Sequence, residues 1–170
     1  MQPLSRLVPP EPDGGFTDDD VRSFAACERL LFATYRLSET GHRTERYPLF
    51  TDDTVLHIAY EGDLGEELLV VGKDAVVEWY ERSYTARVAR GGGPRVHLCN
   101  NVMWGRVGPD EVHSVNYMAY HEFPEEVAAR TESVPRLLAD CVHHYRRVDG
   151  RWLMSHKYYW VFFSNVAVAR

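Results

Sequence analysis

The stretch "HHYRRVDGRWLMSHKYYW", His143 to Trp160, decides how this chain is read. Asp149-Gly150 sits between two alternating runs, and Asp-Gly in that setting is among the strongest short signals of a β-hairpin. The turn pairs Val148 with Arg151. Counting outward sets Cys141 opposite Tyr158 and His143 opposite His156, with Tyr145 and Met154 nearby, because alternate residues of a strand point to opposite faces. The face so formed mixes apolar bulk with a few polar groups, as the wall of a small-molecule pocket does.

Upstream, "RVHLCNNVMWGRVGPDEVHSVNYMAYHEF", Arg95 to Phe123, reads as a second hairpin turning at Gly108-Pro109-Asp110. A two- or four-residue loop sets His97 opposite Glu122, Cys99 opposite Tyr120, Asn101 opposite Met118 and Met103 opposite Asn116. Val96, Leu98, Val102 and Trp104 then share the other face. A three-residue loop would instead set His97 opposite His121; the first register is preferred. Four long antiparallel strands are therefore expected: Arg95–Val107, Glu111–Phe123, Arg136–Val148 and Trp152–Phe163. The polar segment Glu125–Ser133 joins the middle pair.

Before them lies a helical half. Thr17 followed by three aspartates makes an N-cap and an acidic first turn. Phe24, Cys27, Leu30, Leu31 and Tyr35 recur at helical spacing, so the pattern predicts a helix over Asp18–Leu37. A short second helix ends near Pro48, and strands follow over Thr54–Tyr60 and Leu68–Val71. Val76, Trp79, Tyr80 and Tyr84 mark one face of a helix over Gly72–Arg90, which the Gly91–Pro94 turn stops. Residues 1–16, rich in Pro, Gly and Asp, read as a flexible lead-in, and residues 17–165 as one domain. The fold class is α+β: a strongly curved, mostly antiparallel sheet packed on N-terminal helices, a cone-shaped barrel around an internal cavity.

Composition narrows function by exclusion. A chain of 170 residues with a formal net charge of −6 has neither the basic stripe of a nucleic-acid binder nor a polybasic membrane anchor. Cys27, Cys99 and Cys141 are an odd, widely spaced set, expected as reduced thiols of a cytoplasmic protein. No apolar run suggests a signal peptide or a bilayer span. Gly91–Pro94 lacks the lysine of a phosphate loop, and no cofactor is expected. His143 and His144 are strand neighbours facing opposite ways, so they cannot chelate one metal together. Only a cross-strand His143–His156 pair could, and no metal is expected.

Three stretches carry a resemblance: "LFTDDTVLHIAY", the hairpin from His97 to Phe123, and "HHYRRVDGRWLMSHKYYW". Over about residues 20–163 the chain resembles the nuclear-transport-factor-two-like superfamily, in its SnoaL-like and scytalone dehydratase-like branch. That resemblance implies a cavity in which a histidine beginning the third strand pairs with an acid ending the first helix. The histidine matches His97, and the acid falls on Glu39, where the family has Asp. The family tyrosine beside the acid falls on Ser38, with Tyr35 one helical turn earlier as a replacement, and a second tyrosine matches Tyr60. The family's second histidine falls on Glu122, leaving Glu39 and Glu122 both open as partners of His97. The pocket asparagine of the fifth strand falls on Cys141.

The expected site is thus His97 and Glu39 as catalytic residues, with Tyr35, Tyr60, Asn101, Met118, Tyr120, Glu122, Cys141, His143 and Tyr158 contacting substrate. The expected reaction is dehydration, isomerisation or cyclisation of a carbonyl-containing, polyketide-like molecule. A non-catalytic small subunit of an aromatic-ring dioxygenase, or a cyclase acting by shape alone, are the alternatives. An aromatic sheet face left uncovered would aggregate, so a homodimer or homotrimer is expected.

Overall fold

A computed structural model describes residues 14–124 and 135–165. Most of the expected lead-in and the Glu125–Ser133 connection lie outside the described residues.

Helix α1 (Asp18–Glu39) begins at a reciprocal cap: Thr17 Oγ1 accepts from the Asp20 backbone N–H at 3.2 Å, and Asp20 accepts from the Thr17 N–H at 2.8 Å. Such a cap contributes about 1 kcal/mol. Cys27, Leu30, Leu31, Thr34, Tyr35 and Ser38 form its buried stripe. A short 3-10 segment (Arg43–Leu49) then leads into β1 (Phe50–Tyr60), β2 (Leu68–Val71), α2 (Lys73–Ala89), β3 (Gly92–Gly108), β4 (Glu111–Pro124), β5 (Leu137–Val148) and β6 (Arg151–Ser164).

The six strands make one curved, unclosed sheet in the order β2-β1-β6-β5-β4-β3. Every pairing is antiparallel except β1 with β6, which are parallel. The α+β cone expected from the sequence is therefore the observed architecture. Cys27 and Leu31 of α1 meet Leu56, Val112, Cys141, Tyr145 and Met154 of the strands in its core.

Both hairpins close where the sequence places them, yet bulges shift their registers further along. In the β5–β6 hairpin Asp149 and Gly150 take positive φ, as a primed two-residue turn requires, and Val148 pairs with Arg151. A bulge between His144 and Tyr145 then moves the pairing by one residue. His143 faces Lys157 and Cys141 faces Tyr159, not His156 and Tyr158. In the β3–β4 hairpin a bulge spans Asn100 to Met103, with Asn101 at φ 54°. Together with a one-residue shift nearer the turn, between Arg106 and Gly108, it sets His97 opposite Tyr120, and Arg95, not His97, opposite Glu122. The same bulge reverses the alternation. Val102 and Trp104 pack on the core beside Cys99, contrary to expectation, while Asn101 is exposed. One inserted residue exchanges the faces of everything beyond it.

Candidate active site

His97 enters the cavity from β3, and Glu39 meets it from the last residue of α1. The Glu39 carboxylate oxygen Oε1 accepts the His97 backbone N–H at 2.6 Å and lies 3.0 Å from Nδ1. Both side chains are largely shielded, at 15% and 10% exposed. The carboxylate thereby selects the tautomer with the proton on Nδ1 and leaves Nε2 free as an acceptor. Burial pulls the His97 pKa below its usual range, against the hydrogen bond and charge of Glu39, and Lys157 and Arg95 push the same way as burial. For Glu39 burial acts upward, but hydrogen bonds from the His97 ring and backbone and the charge of Arg36 outweigh it, so its pKa is lowered. The pair stands as neutral imidazole and carboxylate, an arrangement chemically able to accept a proton at Nε2.

Aromatic rings fix the imidazole on either side. Tyr35 stacks on it at 4.8 Å between centroids, and Tyr120 lies 5.0 Å away at a tilt. Tyr35 is itself locked: its hydroxyl is 3.3 Å from His143 Nε2 and 3.2 Å from the Tyr159 hydroxyl. Lys157 Nζ lies 4.6 Å over the Tyr35 ring. Burial holds the Tyr35 and Tyr159 phenols protonated and His143 neutral.

The cavity before His97 has a volume of about 260 Å³. Tyr60, Met118 and Tyr120 line it, together with Arg46, Tyr80 and Arg95, which the sequence reading did not name as site residues. Arg95 was within reach of that reading, since it alternates with His97 on one strand face. Glu39 and Tyr35 stand behind the imidazole and border a second depression, on the α1 side, with Phe32 and Arg36.

The other expected contacts divide. Glu122 is buried at the cavity edge, accepting from Tyr120 at 2.9 Å and paired with Arg90 at 3.2 Å. With Glu122 so engaged, Glu39 is the partner of His97. Cys141 and His143 are fully buried beneath the lining rather than on it. Burial raises the Cys141 thiol far above its usual pKa, which suits a packing residue, not a nucleophile. Asn101 is turned to solvent by the bulge, and Tyr158 lies on the outer sheet face against Val115 and Val142. Neither reaches the cavity, because each sits one residue out of phase with the expected register.

The cross-strand His143–His156 pair, the one that could have chelated a metal, does not form, since His143 pairs with Lys157 and His156 with His144. On the outer face His113 stacks on His144 at 3.6 Å, and His156 follows at 5.0 Å. Glu111, His113 and His144 bring ligand atoms within 4.8 Å of one another, the one group among the described residues with the donors for a metal ion.

No family model and no curated protein matches the sequence. Solved structures do match in shape. A scytalone dehydratase-like protein from Novosphingobium aromaticivorans aligns at TM-score 0.64 and 16% identity, over 87% of this chain and 89% of that one. A hexachlorocyclohexane dehydrochlorinase from Novosphingobium barchaimii aligns at 0.63 and 18%, over 88% and 94%. The β subunit of an aromatic-ring-hydroxylating dioxygenase type from N. aromaticivorans aligns at 0.66 and 13%, over 85% and 92%. The chain shares its fold with these structures and with a nuclear-transport-factor-two-like protein from Pseudomonas putida, which aligns at 0.59 and 17%, over 84% and 90%. Shared fold does not carry a reaction with it; the chemistry rests on the side chains.

Proposed function

We propose that this protein is a cofactor-independent acid–base enzyme acting on a carbonyl-containing small molecule, as a dehydratase, isomerase or cyclase. The observation that carries the reading is the Glu39–His97 contact of 3.0 Å at the wall of the cavity. His97 Nε2 removes a proton from carbon beside the carbonyl, and the resulting imidazolium is held by the Glu39 carboxylate. The phenol of Tyr60, on the cavity wall, faces the oxygen as it becomes enolate-like. The proton on His97 then goes to a leaving hydroxyl in dehydration or to another carbon in isomerisation. Ring closure uses the same enolate as nucleophile.

The test is turnover of cyclic β-hydroxy ketones and their enone products, followed by absorbance and by deuterium uptake at the α-carbon. His97→Ala should abolish both while leaving the thermal transition in place. A subunit without chemistry of its own, or a cavity acting by shape alone, would leave His97→Ala equal to wild type. The same reading includes a homodimer or homotrimer, since Leu98, Met103 and Tyr117 are exposed on the outer sheet face. Light scattering at micromolar concentration decides this, and a monomer there removes the oligomer from the reading.

A further inference from the structure

The chain carries a net charge of −6, yet its cavity is cationic. Arg46, only 6% exposed, reaches the cavity from the 3-10 segment with its guanidinium 3.8 Å over the Tyr80 ring. Arg95 reaches it from β3, two residues before His97, with one amino group on the Ser38 carbonyl and hydroxyl at 2.9 and 2.6 Å. The Nε–H of each is buried without a hydrogen-bond partner. Among the described residues, no carboxylate lies within ion-pair distance of either guanidinium. The nearby acids hydrogen-bond elsewhere: Glu81, whose carboxylate also feels the charge of Arg46, with Arg43 and Tyr47, and Glu122 with Arg90 and Tyr120. The phenols of Tyr47 and Tyr120, both held protonated by burial, also lie near Arg46 and Arg95. Lys157, buried behind Tyr35 and outside the cavity lining, makes no ion pair among the described residues, and burial lowers its pKa.

A guanidinium stays charged at any physiological pH, and an uncompensated buried charge costs several kcal/mol. Buried polar hydrogens are nearly always paired in folded proteins. Two orphaned Nε–H donors on one cavity wall therefore describe a site for an anion. Leu56, Ile58, Met118 and Val161 supply the aliphatic part of the wall, a surface suited to a hydrocarbon body rather than to a strongly hydrated dianion such as phosphate.

We infer that the ligand of this cavity is an apolar carboxylate, its carboxyl group held by Arg46 and Arg95 and its ring or chain packed against the aliphatic wall toward His97. The inference rests on reading the cavity as the reaction site, but the binding it predicts is measured without turnover. A planar carboxylate matches the paired donors of a guanidinium, and Arg95 on the same strand face as His97 brings the adjacent carbons to the base.

The test compares 2-naphthoate with the neutral isostere 2-naphthamide by calorimetric titration of the full chain, with sodium sulfate as a third titrant. The naphthoate should bind at least 10-fold more tightly than the amide, and sulfate should not compete at equal concentration. Arg46→Gln and Arg95→Gln should each reduce the preference about 10-fold. His97→Ala should keep it, so loss of acid–base turnover and loss of anion binding report separately. Should Arg46→Gln fail to fold, Arg95→Gln and a melting-temperature rise with naphthoate but not naphthamide carry the test. Equal affinity for acid and amide, a preference that survives both arginine variants, or sulfate binding as well as naphthoate overturns the inference.

Discussion

Acid should unfold this protein through the outer face of its sheet, and His144 provides the measurable case. Its ring is stacked on His113 at 3.6 Å and lies 5.0 Å from His156. Burial, followed by those two neighbours, lowers its pKa from 6.5 to about 3. In the unfolded chain the ring takes up a proton as pH falls through 6.5; in the folded chain it does not until about 3. The unfolded state thus binds more protons across that window, and stability is lost as pH falls through it. Integrated between pH 7 and pH 4.5, this one site costs ~2.5 kcal/mol. Water at the partly exposed ring edge trims the figure to about 2 kcal/mol. Urea titrations at pH 7 and pH 4.5, extrapolated linearly, measure it. Wild type should lose about 2 kcal/mol more than His144→Gln between the two pH values. If both proteins lose the same amount within about 0.5 kcal/mol, the burial and stacking of His144 are not what resists protonation, and the reasoning fails.

Three further outcomes follow from the cavity and its supports. Glu39→Gln replaces a charged partner of the imidazolium with a neutral one; a charge-assisted hydrogen bond contributes about 1.5–3 kcal/mol, so kcat should fall roughly 10- to 150-fold with the fold intact by circular dichroism. The pH profile of kcat/KM should be flat near neutrality and fall only in acid, because burial holds the His97 pKa below its usual 6.5, and Glu39→Gln should move that limb to lower pH still. Gly92→Ala puts a methyl group 2.9 Å from the Arg87 carbonyl oxygen and against the Glu122 carboxylate; overpacking of this kind should cost about 1–3 kcal/mol by urea titration, and a neutral result would show that the β3 start yields easily.

The fold was legible because its signals are local. Asp149-Gly150, the Thr17 cap and the stripe from Phe24 to Tyr35 each act within a few residues. The parallel pairing of β1 with β6 leaves no such mark, since Leu56 and Lys157 are joined only by tertiary packing. The Glu39–His97 contact spans 58 residues and came from family resemblance, not from spacing. Asn101 and Tyr158 were misplaced for one physical reason: a bulge shifts phase without changing composition. Lys157 was hidden by the same shift, because the unbulged register turns it away from His143. Arg46 sits in a short 3-10 segment with no periodicity to reveal which way it faces.

The bulge at Asn101 also gives β3 something like a reading frame. On one side of it Arg95 and His97 face the cavity and α1's C-terminal end; on the other, Trp104 packs on Tyr145 and Arg106 reaches back to Asp20 at α1's start. Each half is in frame with its surroundings only while one surplus residue stands between them. A glycine at this exposed, left-handed position is tolerated, whereas deleting the residue forces one half to turn inside out. Length, not side-chain identity, is what an exposed asparagine here protects.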